Sequence, residues 1–165
     1  MLSSRPVVVV DTSPLIYLSS INKIHILKDL FHEIFIPDAV RKEMLSGGKG
    51  SFGFHEIKNE KWIKTKKIKN TVSKQWLLTD LDEGEAELMV LAEELNSHLI
   101  IMDDKLGRRI AHLKGFAVVG TLRVLVTAKE RGIIQEIKPL LNKLREAGFW
   151  LGEDIYRTIL KQSKE

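Results

Sequence analysis

Four valines in a row, Val7 to Val10, constrain this chain more than any other feature. A β-branched run of that length reads as a strand buried on both faces, the kind found inside a parallel sheet. The next residue is Asp11, followed by Thr12, Ser13 and Pro14. One reading of that switch is helix capping, with Pro14 seated in the first turn of a following helix. The other is that Asp11 stands at the carboxyl end of a central strand, where open α/β sheets place their sites.

The rest of the chain alternates in the same way. "PLIYLSSI" and "IHILKDLF" read as two short helices and "EIFIP", ending at Pro37, as a second strand. Asp38 then caps a helix "AVRKEML" that stops at Gly47 and Gly48. "SGGKGSFGF" reads as a loop, and "KWIKTKKI" as an edge strand with its lysines facing water. "DEGEAELMVLAEELN" predicts a helix and "HLIIMDD" another buried strand ending in acid. "KLGRRIAHLKG" and "TLRVLVTAKERG" predict helices on either side of a strand "FAVVG", and the tail predicts two more, hinged around Gly148 to Gly152. Apolar strands separated by gaps long enough for crossover helices predict a three-layer α/β/α sandwich with a mostly parallel central sheet.

Composition closes off several classes. Hydrophobic residues make up 44% and charged residues 29% of the 165, the usual mixture of a soluble single domain. No apolar run approaches the roughly 20 residues of a membrane span, and "MLSSRPVVVVD" lacks the layout of a signal peptide. Cysteine is absent, which rules out disulfides and thiolate metal sites and fits a cytoplasmic location. The net charge of +4 gives a mild attraction to polyanions. Lysines concentrate from Lys58 to Lys74, with Trp62 among them, while "DLDEGEAE" just downstream is acidic.

The acids fall at unusual places. Two buried strands end in carboxylates, Asp11 after the first and Asp103 with Asp104 after "HLIIM", and the carboxyl ends of parallel strands share one sheet edge. Glu43 lies three residues after Val40 and Glu85 three before Leu88, offsets that put both on the apolar faces of their helices. Arg41 and Lys42 occupy the other face of the first helix, and Glu87 and Glu94 fall off the apolar stripe of the second. Each acid also has a structural reading: Asp11 and Asp104 as caps, Glu85 in a capping box with Asp82, Glu43 paired to a base. Taken together, clustered carboxylates repel and are costly to bury, so they call for protons or cations. Hard divalent ions such as Mg²⁺ or Mn²⁺ prefer oxygen ligands, and a metal so held activates water and stabilises charge on a phosphate. No GxGxxG or P-loop lysine, no zinc-spaced histidines and no GxSxG elbow offer a different chemistry. Ser13 stands where a haloacid dehalogenase-type phosphotransferase needs a second Asp, and "KWIKTKKI" lacks the acceptor Asp of a receiver domain.

With "VVVVDTSPLIYL", "FIPDAVRKEM", "GEAELMVLA", "LIIMDDKLGRRIA" and "VVGTLRVLV" in this order, the chain resembles the PIN-domain proteins, small metal-dependent nucleases that include many prokaryotic toxins. Its tail, "LLNKLREAGFWLGEDIYRTIL", resembles a PIN branch with an extra C-terminal helical segment. The expectation is therefore a single PIN-like domain over 1–165, with 133–165 packed on it. The resemblance implies an Mg²⁺ or Mn²⁺ pocket built from Asp11, Glu43, Glu85 and either Asp103 or Asp104. Glu85 stands where the family more often has Asp, and Thr12 and Ser13 supply the small hydroxyl residues beside the first acid. It further implies phosphodiester hydrolysis, most often of single-stranded RNA, an antitoxin partner, and a homodimer with no membrane attachment. Lys105, Arg108 and Arg109 directly follow the last acids and are candidates to contact phosphate, as is the Lys58–Lys74 run. Trp62 and Trp150 are candidates to stack on bases, with packing or a dimer contact the better reading for Trp150. The alternative is a PIN-like module that binds RNA or a protein without turnover.

Overall fold

A computed structural model of the chain describes residues 5–165. In chain order the elements are β1 (Val8–Val10), α1 (Thr12–Ser20), α2 (Ile26–Phe31), β2 (Ile34–Pro37), α3 (Asp38–Ser46), α4 (Phe54–Asn59), β3 (Ile63–Lys66) and α5 (Thr71–Leu77). There follow α6 (Glu83–Glu94), β4 (Leu99–Ile101), α7 (Lys105–Leu113), β5 (Val118–Val119), α8 (Thr121–Glu130), α9 (Lys138–Glu146) and α10 (Glu153–Gln162).

The valine strand is fully buried, and its side chains divide between two cores. Successive side chains of a strand point to opposite faces. Val8 and Val10 accordingly join one cluster and Val9 the other. β4 divides likewise, Ile101 to the first and Ile100 to the second, and in β2 Ile34 and Ile36 face the first while Phe35 packs on the second. The first cluster is closed by side chains from α1 to α4 and from α8 to α10, the second by α5, α6 and α7. The result is the expected α/β/α sandwich. Fully burying a valine contributes about 1.5–3 kcal/mol, so β-branched residues on both faces of β1 stabilise both layers.

All strand pairs are parallel, in the order β3-β2-β1-β4-β5. The chain winds outward from β1 through β2 to β3, then returns to place β4 on the other side of β1. The winding direction therefore reverses between β1 and β4, and at such a reversal the loops after the two strands diverge and leave a crevice at their carboxyl ends. Asp11 follows one of these strands, Asp103 and Asp104 the other, and the Asp11 N–H donates to the Ile101 carbonyl across the gap (2.9 Å). β3 is an edge strand with Lys64 and Lys66 exposed, as expected.

Several expectations need correction. Asp38 lies inside the first turn of α3, with Pro37 at the cap position. Two short helices, α4 and α5, stand where none was predicted. Trp62 is 6% exposed and belongs to the first core, so it offers no face to a base, whereas Trp150 is 83% exposed and packs in neither core. Leu140, Leu141 and Leu144 of α9 and Ile159 of α10 join the first cluster. Glu165 ties this region down, accepting from the N–H groups of Ile137 (2.7 Å) and Lys138 (3.1 Å) and from Lys129 Nζ. Among the described residues no helix is long and apolar enough to cross a membrane.

Candidate active site

Asp11 occupies the cap position of α1, yet its side chain makes no capping hydrogen bond. It is 6% exposed, and burial pushes its carboxyl up to about 7. The Thr12 backbone N–H pulls the other way, while the charges of Glu85, Asp82 and Glu43 push it further up. The capping reading therefore fails for Asp11, and the charges of three other acids reach it.

Glu43 reaches the same place from α3. Its Oε2 accepts from the Thr12 hydroxyl at 2.9 Å, so the residue beside Asp11 holds the second acid in position. Contrary to the sequence expectation, Glu43 is exposed: Val40 and Met44 fill the buried stripe of α3, and Glu43 stands at its rim. Arg41, expected on the outer face, turns back to donate to the Ile57 carbonyl (2.8 Å). Ser13 is exposed and has no hydrogen bond to the acids.

Glu85 comes from the first turn of α6, and here the capping reading holds. The Asp82 carboxylate accepts from the Glu85 N–H (2.8 Å) and Glu85 Oε2 accepts from the Asp82 N–H (3.1 Å), a reciprocal capping box. Capping does not remove it from the cluster. Its carboxyl is raised first by burial and then by the charges of Asp82, Asp104 and Glu43, with the Asp82 backbone pulling the other way. Gly84 sits close under these acids: a Cβ there would lie 3.2 Å from Glu43 Oε2 and 3.6 Å from Asp82 Oδ1. A cavity of about 340 Å³ opens between α3 and α6, lined among others by Lys42, Glu43, Asp82 and Glu83. Asp82 is the acid that sequence reasoning treated only as a cap. Its position three residues before Glu85 was the available signal.

The two acids after β4 separate. Asp103 spends both oxygens on the start of α8, accepting from the Thr121 N–H (2.8 Å) and hydroxyl (2.6 Å). Burial raises its carboxyl, opposed by those two bonds and the nearby Arg108 charge. Gly120 is required there, because a Cβ would lie 2.7 Å from Asp103 Oδ1. Asp104 caps α7 through one oxygen, accepting from the Gly107 N–H (2.7 Å), and its charge reaches Glu85. The charges of Glu43, Asp82 and Glu85 thus reach Asp11 and that of Asp104 reaches Glu85, with Asp103 turned toward α8. Lys105 and Arg109 are exposed on α7, while Arg108 lies against Asp103 and Gly120.

Among the described residues no lysine, arginine or histidine forms an ion pair with Asp11, Glu43, Asp82, Glu85, Asp103 or Asp104. An oxygen-only donor set with a buried, uncompensated carboxylate fits a hard divalent cation. Among the described residues, no three such side chains stand together around one point as ligands. An ion here would be held by few direct carboxylates with water completing its shell, which is the usual manner of Mg²⁺.

No curated protein matches the chain. A family model described as a PIN domain, DUF3368, matches residues 7–165, from the valine strand through α10. With its five-stranded parallel sheet and acids gathered at the carboxyl edge, the chain belongs to the PIN-domain family.

Proposed function

We propose that this protein is an Mg²⁺- or Mn²⁺-dependent endoribonuclease acting on single-stranded RNA. PIN domains are typically nucleases that use divalent metals, and one observation here carries the reading. Asp11 is buried at the β1–β4 crevice within reach of the charges of Glu43, Asp82 and Glu85, with its carboxyl pushed up to about 7 and no cation paired to it among the described residues. When bound, the metal supplies Lewis acidity and an activated water for hydrolysis of the phosphodiester.

The protein's own residues have distinct parts. Asp11, Glu85 and Asp104 provide the oxygens that would hold the ion. Thr12 orients Glu43 toward them, and the capping box fixes the Glu85 backbone and one of its oxygens. Asp103 anchors the start of α8 to the loop after β4, beside Asp104. Asp11 would have to release its proton to serve as a ligand, so metal affinity should rise with pH. As parts of the same reading, the protein would act as a cytoplasmic toxin and homodimer, restrained by an antitoxin that inserts a basic side chain among these acids.

The test is cleavage of a mixed-sequence single-stranded RNA with Mn²⁺ or Mg²⁺ by wild type, EDTA-treated protein, Asp11→Asn and Glu85→Gln. Cleavage by wild type alone is the expected result. If folded wild type binds RNA but never cuts it with either metal, the nuclease reading fails. The protein would then be a binding module, the reading favoured by the lack of three converged ligands among the described residues.

A further inference from the structure

The segment from Lys61 to Thr79 carries six lysines and no acid. Registered neighbours in a parallel sheet point to the same face. Lys64 is registered with Phe35 and Lys66 with Pro37, and Phe35 packs on the core beneath α6. Lys64 therefore stands at the sheet edge on the α6 face, and so does Lys66, two residues on; both are exposed.

α5 lies on that same face, antiparallel to α6. At one end Glu94 accepts from the N–H groups of Lys69 (2.7 Å) and Asn70 (2.8 Å). At the other, Lys74 Nζ reaches Glu83 (2.9 Å) and Glu87 (3.3 Å). So fastened, α5 buries none of its own residues. Val72 and Trp76, four apart and hence on one helix face, are 67% and 77% exposed. Trp76 comes two residues after the Lys74 clamp, at the end of α5 that meets the first turn of α6, where Asp82 and Glu85 stand. Lys66 is paired with Pro37, directly before the helix that carries Glu43. A tryptophan and a row of lysines thus border the acidic edge from the β3 side.

We propose that this face is the track along which single-stranded RNA reaches the acids, with Lys64 and Lys66 on its phosphates and Trp76 stacked on a base. The inference rests on the nuclease reading and names the residues that bind its substrate. Cations next to an open aromatic plane suit a ligand that presents phosphates and unpaired bases together. A duplex hides its base faces, which leaves Trp76 without a partner. The clamp at Lys74 fixes the helix that carries Trp76 before any ligand arrives, so its backbone needs no ordering on binding.

The test measures binding by fluorescence anisotropy of end-labelled mixed-sequence single-stranded RNA in EDTA, where no strand is cut. Trp76→Ala should weaken binding about 5- to 150-fold, since base stacking is worth about 1–3 kcal/mol. Trp76→Phe should retain most of it, and Trp150→Ala should bind as wild type does. Lys64→Gln with Lys66→Gln should lower the slope of log affinity against log salt by about 1.4. Trp76→Ala that binds like wild type overturns the proposal. So does a loss of binding that coincides with dissociation of an oligomer in sedimentation, because the patch would then seat a second copy. RNA held through Trp76 but never cleaved with metal would sink the nuclease reading and leave the track standing. Normal cleavage by a Trp76→Ala protein of unchanged affinity would do the reverse.

Discussion

Asp11 and Glu87 are buried to nearly the same degree, 6% and 5% exposed, and lie at the same end of the molecule. Their surroundings differ completely. Glu87 has Lys74 Nζ at 3.3 Å and the Ala39 N–H at 3.4 Å, so it links α5, α6 and α3. Asp11 has the charges of other acids acting on it, no paired cation among the described residues, and a carboxyl pushed up to about 7. Glu165 resembles Glu87: Lys129 and two backbone N–H groups hold its carboxyl below the usual range against the opposing effect of burial. Burial alone does not distinguish an acid that holds a fold together from one that waits for a ligand. The partner does.

The largest effect should come from neutralising the unpaired acid. Asp11→Asn should lower RNA cleavage by more than about 100-fold, the upper end of losses for residues that only support a metal ligand. Glu87→Gln should leave cleavage within a few fold in a direct comparison of rates. Equal losses in the two variants would erase the distinction between them.

Stability against pH separates the two acids next. Between pH 4 and 7 the folded chain holds a proton on Asp11 that the unfolded chain has already released. Raising the pH through that window therefore removes stability, by at most about 4 kcal/mol for a shift from 3.8 to about 7. In EDTA at pH 8, urea denaturation should find Asp11→Asn more stable than wild type, with the advantage gone at pH 4. Divalent metal should close the gap by stabilising wild type alone. Glu87→Gln should instead be destabilised by about 1–3 kcal/mol at pH 7, from the loss of a charge-assisted bond to Lys74. Glu165→Gln should also lower stability near neutrality, an effect that fades as the pH falls below the carboxylate range.

The smallest effect sharpens the comparison within the site. Thr12→Val removes the hydroxyl that holds Glu43 and should reduce cleavage about tenfold, as expected of a positioning group. Its melting temperature should change little, because Glu43 is exposed and can rehydrate. A large loss of stability with normal cleavage would make the Thr12–Glu43 bond structural.

Much of this was legible in the sequence because burial on both faces leaves a strong signature. "VVVV" and "LII" are apolar at every position, since each strand feeds two cores, and the acids that end them stand out by contrast. A one-face pattern misleads where a helix is buried nearly all round or not at all. α6 is buried nearly all round, so Glu87, set aside as off the stripe, is buried as deeply as its apolar neighbours. α5 buries nothing and thus shows no periodicity to read. In the lysine run the aromatic that looked available, Trp62, alternates into the core, while Trp76, six residues before the capping box, faces water. Asp103 and Asp104 were inseparable in sequence because their division depends on Thr121, eighteen residues away.

The most direct test of the central claim is calorimetric titration of Mn²⁺ into wild type and Asp11→Asn at pH 6 and pH 8, in buffers of different ionisation enthalpy. The account predicts binding to wild type that tightens from pH 6 to pH 8, releases protons at the lower pH, and disappears in Asp11→Asn. Folded wild type that takes up no Mn²⁺ at either pH, or an Asp11→Asn protein that binds it equally well, would contradict the claim that this edge is a metal site.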